Sequence, residues 1–180
     1  MGHSVLSTTR EADAMATVIT TGERAELLQA LTQHRGFLRF TAQGLTDEQA
    51  TTRTTVSELT VAGLIKHVTQ VEEKWIDFVL DGPAAMDQDY EEHANGFRML
   101  PGETLQGLLD RYEEVARRTD ELVATHDLDA RQPLPEAPWF EPGAQWSFRR
   151  VLVHLVAETS QHAGHADIIR EGIDGQKSMG

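Results

Sequence analysis

The chain contains no cysteine in its 180 residues, which excludes disulfides, thiolate metal ligands and a protein-borne thiol nucleophile together. Any sulfur chemistry must therefore draw its sulfur from a ligand. Basic residues are scarce as well: 16 Lys plus Arg stand against 29 Asp plus Glu, for a formal charge of -13. Such a chain is repelled by a phosphate backbone, or by an anionic bilayer surface, over the distance that salt leaves unscreened. Neither nucleic acid nor membrane is an expected partner. No stretch approaches the ~20 consecutive apolar residues of a bilayer span. The first thirty residues also lack a basic start followed by an apolar run, so the expectation is a soluble, cytoplasmic protein. Several catalytic templates are missing too. HExxH, GxGxxG, GxSxG and the phosphate-cradling GxxxxGK do not occur, which removes support for zinc-protease, dinucleotide, hydrolase-elbow and P-loop chemistry.

What is present is ordinary globular composition, 39% hydrophobic and 25% charged, in a chain long enough for one well-buried core. Residues 1–20 show no sustained periodicity and read as a loosely ordered N-terminal arm. Residues 21–175 read as one bundle domain and 176–180 as a tail. From Glu23, the positions Leu27, Leu28, Leu31, Phe37 and Leu38 recur at helical spacing up to Gln43 and Gly44. Ser57 or Thr60 is a fitting N-cap for a second helix with the stripe Leu64, His67, Val68, Val71, Trp75 and Phe78, stopped by Asp81-Gly82-Pro83. A third helix is legible from about Glu103 to Thr125. A fourth starts near Ser147 and extends to about Glu171. With no alternating β-rich run to compete, the fold class is all-α, a four-helix bundle with a long crossover connection. The connections 81–102 and 126–146 are long enough to carry the chain along the bundle or to close over one end.

Three of the eight histidines, His154, His162 and His165, fall within the fourth helix. At ~100° per residue they share an arc of about 80° with Glu158. Val151, Leu155 and Ile169 point the same way, so these polar groups are expected within the buried stripe. Unpaired there, a carboxylate and several imidazoles would cost several kcal/mol, a loss that metal coordination removes. Glu158 and His162, at i,i+4 spacing, stack two donors on adjacent turns. A surface pair is the competing reading of those two alone. His67, the one polar residue named in the second stripe, is the natural third ligand. Two imidazoles and a carboxylate suit zinc, iron or nickel and leave coordination positions open. His3, His34, His93 and His126 read as solvated, as does the acidic run DQDYEEH. Trp139, Phe140 and Trp146, in and just after the Pro-rich segment before the fourth helix, either anchor that segment or line a pocket mouth.

The segments LTVAGLIKHV, at 59–68, and WSFRRVLVHLVAETSQHAGHADIIREGIDG, at 146–175, resemble the two signature regions of the DinB-like four-helix metalloproteins. The resemblance is to the branch of mycothiol-dependent S-transferases and maleylpyruvate isomerases. It implies a crossover after the second helix, a divalent metal at one end of the bundle, and a homodimer. The founding members use three histidines. Here the matching positions are His67, Glu158 and His162, the His, Glu, His set of the thiol-dependent isomerases. The function this implies is a metal-dependent thiol S-transferase in detoxification. A low-molecular-weight thiol, mycothiol in this branch, would be activated at the metal for attack on a small electrophile. In that scheme His165 takes the thiol proton or orients the ligand, with His154 supporting. Trp146 and Arg149 or Arg150 contact the cosubstrate or a substrate carboxylate. A metal-dependent hydrolase and a non-catalytic metal-binding stress protein are the alternatives.

Overall fold

The computed structural model describes residues 21–87 and 95–178. The arm at 1–20 with His3, and most of the acidic run with His93, lie outside the described residues. Helix α1 spans Glu23–Ala42, a single turn α2 spans Asp47–Ala50, α3 spans Val61–Asp81 and a 3-10 turn spans Pro83–Met86. Helix α4 then spans Leu105–Thr125, strands β1 and β2 span Arg131–Pro133 and Gln145–Ser147, and α5 spans Phe148–Asp174.

The polar residues before the three later long helices start them. Thr60 accepts from the Gly63 amide, Thr104 from Gly107 and Ser147 from Arg150, each satisfying a donor that the first turn leaves without a partner. At the other end of α5, Gly175 takes a left-handed conformation at φ 79° and closes the helix three residues beyond the expected Glu171.

Cross-helix ion pairs give the topology. Lys66 pairs with Glu103, Glu73 with Arg111 and Asp77 with Arg118, so α3 and α4 run parallel. The chain between them must return along the bundle, which is the expected crossover. Arg24 reaches the Val123 and His126 carbonyls while Arg39 meets Glu113, so α1 is antiparallel to α4. Arg170 donates to the Thr41 and Gln43 carbonyls and Arg149 meets Glu23, so α1 and α5 are parallel. The bundle is therefore up-down-down-up.

Two apolar clusters fill it. One gathers Leu38, Leu64, Ile65, Leu105 and Ile169. The other gathers Leu31, Ile76, Phe78, Val123 and Leu155. A buried polar network interrupts the core: Arg35 donates to Glu72 and to Asp120, and the Thr119 hydroxyl donates to Glu72 at 2.6 Å. A buried charge of either sign is costly alone, and here each is paired.

Among the described residues the fold is all-α as expected, apart from one short strand pair. β1 and β2 pair antiparallel, with Gln132 opposite Trp146. Strands of three residues are too short to show a two-residue alternation in the sequence, and a Pro-rich loop separates them. The pairing fixes Trp146 directly before the first turn of α5.

Candidate metal centre

His67 lies two turns into α3, and its surroundings depend on a glycine one turn earlier. A Cβ on Gly63 would sit 2.1 Å from the Phe97 carbonyl oxygen, so the absence of a side chain lets the crossover segment lie directly on α3. Phe97 thereby stacks on His67, with centroids 3.8 Å apart and planes at 18°. On the antiparallel α5, His162 meets His67 edge-on at 4.8 Å.

One ligand atom from each of His67, Glu158 and His162 lies within 4.8 Å of the others, and all three residues are half-buried. Glu158 Oε2 is 3.5 Å from His162 Nε2, and its Oε1 is 3.8 Å from His154 Nε2. His165 Nδ1 lies 3.5 Å from His162 Nδ1. His154, Glu158, His162 and His165 thus lie in one connected row on α5, as the helical spacing predicts.

Their burial differs from the expectation. The buried face of α5 carries Phe148, Val151, Leu152, Leu155, Thr159, Ala163, Ala166, Ile169 and Arg170. At ~100° per residue its centre lies about 80° to 90° from the middle of the His154, Glu158, His162 and His165 row. The row therefore borders the core instead of filling it, which leaves it open to a ligand.

Electrostatics divides the row. The His162 contact holds the Glu158 carboxyl below the usual carboxylate range against the burial that raises it, and the nearby His154 and His67 act in the same sense. Burial pushes His154 below the usual imidazole value, with Glu158 partly opposing. At neutral pH this end of the bundle offers an anionic carboxylate among imidazoles. That donor set fits a divalent ion of the zinc, nickel or iron kind. Bonds of about 2.0–2.2 Å bring tetrahedral donors to about 3.3–3.6 Å of one another, a contraction that side-chain torsion can supply.

The rest of the predicted site divides in two. Trp146 stacks on Trp75 with centroids 4.6 Å apart, and His154 packs edge-on against both at 5.3 and 4.9 Å. Arg150 lies over the Trp146 ring at 4.3 Å. Arg149 is not brought to this cluster, because one residue along a helix is a rotation of ~100°. Its guanidinium is engaged by Glu23 and Asp129, which raise its pKa further above the ordinary value. Phe140 packs against Trp146 at 5.9 Å, while Trp139 is exposed. The Pro-rich segment lines an open pocket of about 460 Å³ between Leu134 and Gly143, and none of the three donors is part of its wall. Phe97 was missed in the sequence. A local signal was Gly63, a glycine inside a helical pattern, but helical glycines such as Gly164 have nothing near them, so the pattern alone does not single out a close approach.

Residues 26–175 match the mycothiol-S-transferase family. Comparison with curated proteins gives no match. Among solved structures, one titled as the conserved protein of a locus from Enterococcus faecalis aligns with a TM-score of 0.61 at 16% identity, covering 87% of this chain and 100% of that one. It shares the fold. The family match includes α3 and α5, and with them all three candidate donors, so the chain belongs to the mycothiol-S-transferase family, on a DinB-like four-helix bundle.

Proposed function

We propose that this protein is a metal-dependent thiol S-transferase, joining a low-molecular-weight thiol, mycothiol in the first instance, to a small electrophile. The observation that carries the reading is the convergence of His67, Glu158 and His162 from two antiparallel helices. A divalent cation held by these three groups supplies the positive charge that lowers the pKa of a thiol brought to it.

The chain's own residues do the remainder. Glu158, anionic at neutral pH, balances the charge of a cation. His165, whose Nδ1 lies 3.5 Å from that of His162, accepts the thiol proton in this reading or holds the ligand by a hydrogen bond. Phe97, stacked on His67, fixes the ring plane and screens that side from water. Trp75, Trp146 and His154 form the wall further along α5. Arg149 steadies the start of α5 through Glu23 and Asp129. With no cysteine in the chain, the nucleophilic sulfur comes from the cosubstrate. Dependence on a reduced small thiol also fits detoxification in the cytoplasm.

The test is to incubate the metal-loaded protein with mycothiol, bacillithiol or glutathione and a generic electrophile, and to follow adducts by mass spectrometry. Adduct formation with mycothiol supports the proposal. Product formed without any thiol supports a hydrolase, and no product with any thiol supports a metal-binding protein without turnover.

A further inference from the structure

The guanidinium of Arg150 is prepared for a partner that the described residues do not provide. Positions 150, 154, 158 and 162 form one i,i+4 row on α5, so Arg150 lies on the same side as Glu158 and His162, about 12 and 18 Å of helix away. In this acidic protein most arginines have a carboxylate partner: Arg35 has Glu72 and Asp120, Arg118 has Asp77, Arg149 has Glu23 and Asp129, and Arg170 has Asp174. Arg150 has none among the described residues. Instead it lies over Trp146 at 4.3 Å, and Trp146 is backed by Trp75. Stacking uses the flat face of a guanidinium and leaves its N–H edge directed outward, the edge that binds a carboxylate in two parallel hydrogen bonds. The aromatic pair holds this cation in place, and His154, touching both indoles, bridges it to Glu158.

We propose that Arg150 is a specificity-determining residue that binds a carboxylate on the electrophile, so that preferred substrates are anionic and carry that carboxylate remote from the reacting carbon. This rests on the transferase reading for its chemistry, while the binding it describes does not. A matched pair of probes is 4-chloro-3-nitrobenzoate and its methyl ester. In either, the thiol sulfur forms a bond to the ring carbon that bears chlorine, the carbon–chlorine bond breaks, chloride leaves with its electron pair and the thiol proton passes to solvent.

The experiment compares kcat/KM for the two probes in wild type, Arg150→Met and Arg150→Lys, with mycothiol and the metal-loaded protein. Two charge-assisted hydrogen bonds lead us to expect the carboxylate-to-ester ratio to fall about 10- to 100-fold in Arg150→Met. Lys, which keeps the charge but not the fork, should give an intermediate ratio. An unchanged ratio, or equal loss on both probes, overturns the proposal and leaves Arg150 as packing for Trp146. Calorimetric titration of wild type and both variants with unreactive 3-nitrobenzoate and its methyl ester reads the same preference without turnover. If neither chloride reacts, the transferase reading fails while the titration still decides on Arg150: loss of benzoate binding in Arg150→Met supports it, and equal binding refutes it.

Discussion

Gly63→Ala should destabilise the protein although alanine favours helices. The Cβ of this variant meets the Phe97 carbonyl oxygen at 2.1 Å, whereas ordinary contact begins at 3.4 Å, so the crossover segment must retreat by roughly 1.3 Å from α3. Overpacking of this kind costs about 1–3 kcal/mol. Helix propensity returns about 0.8–1 kcal/mol. The second term can be measured separately, because Gly164 in α5 has nothing within 4 Å of its added Cβ. Gly164→Ala should therefore stabilise by nearly the full propensity gain. The difference between the two variants is then about 1–3 kcal/mol, or roughly 2–12 °C in Tm at the 2–4 °C per kcal/mol of a chain this size. Thermal unfolding of both variants, stripped of metal, reads the packing term alone. Repeating it with zinc tests the link to the site, since a displaced Phe97 no longer stacks on His67. Gly63→Ala matching or exceeding the stability of Gly164→Ala would refute the close-approach argument.

Other expectations concern the core, the pH dependence and the metal. Glu72→Ala leaves the Arg35 guanidinium buried with only the half-exposed Asp120, and should cost about 3 kcal/mol or more in urea unfolding; a change below 1 kcal/mol would mean that Asp120 suffices. Burial pushes the Glu103 carboxyl up, but the Leu100 amide and Lys66 more than offset this, so its pKa lies below the ordinary value. A depressed carboxylate contributes stability that is complete above its unfolded pKa and is lost as pH falls through the folded one. Glu103→Gln should therefore flatten part of the stability loss below about pH 4.5, and an unchanged acid limb would contradict the pairing. Saturating zinc at 100 times its Kd should add about 2.7 kcal/mol of stability, and a Tm that does not respond to added zinc or to chelator would count against a folded-state site.

The helices were legible because each long one carries its stripe and, for three of them, a capping Thr or Ser whose role is local. Glu158 and His162 were legible for the same reason: i,i+4 spacing on one helix needs no tertiary information. His67 could be paired with them only through a shared apolar stripe and the family pattern. Less was visible wherever the fact is tertiary. Arg35 and Glu72 sit on separate helices among polar neighbours, and nothing in either local pattern marks them as mutually buried. Phe97 lies in the crossover, where no periodicity assigns a face. Arg149 and Arg150 are adjacent in sequence, and only the docking of α5 against α1 decides which one meets Glu23 and which one meets Trp146. The half-open setting of the histidine row likewise depends on where the core centre falls, a difference of less than a quarter turn that a stripe of mixed residues does not fix.

The most direct test of the account is metal content, by mass spectrometry after dialysis against a weak chelator, in wild type and in His67→Ala, His162→Ala, Glu158→Gln and Glu158→His. Three donors hold the ion and two do not. Wild type should retain about one divalent metal per chain and both alanine variants none. Glu158→Gln should retain little, and Glu158→His more than Gln because imidazole restores a strong donor on the same turn. Equal metal in all five proteins would contradict the assignment of His67, Glu158 and His162 as the site.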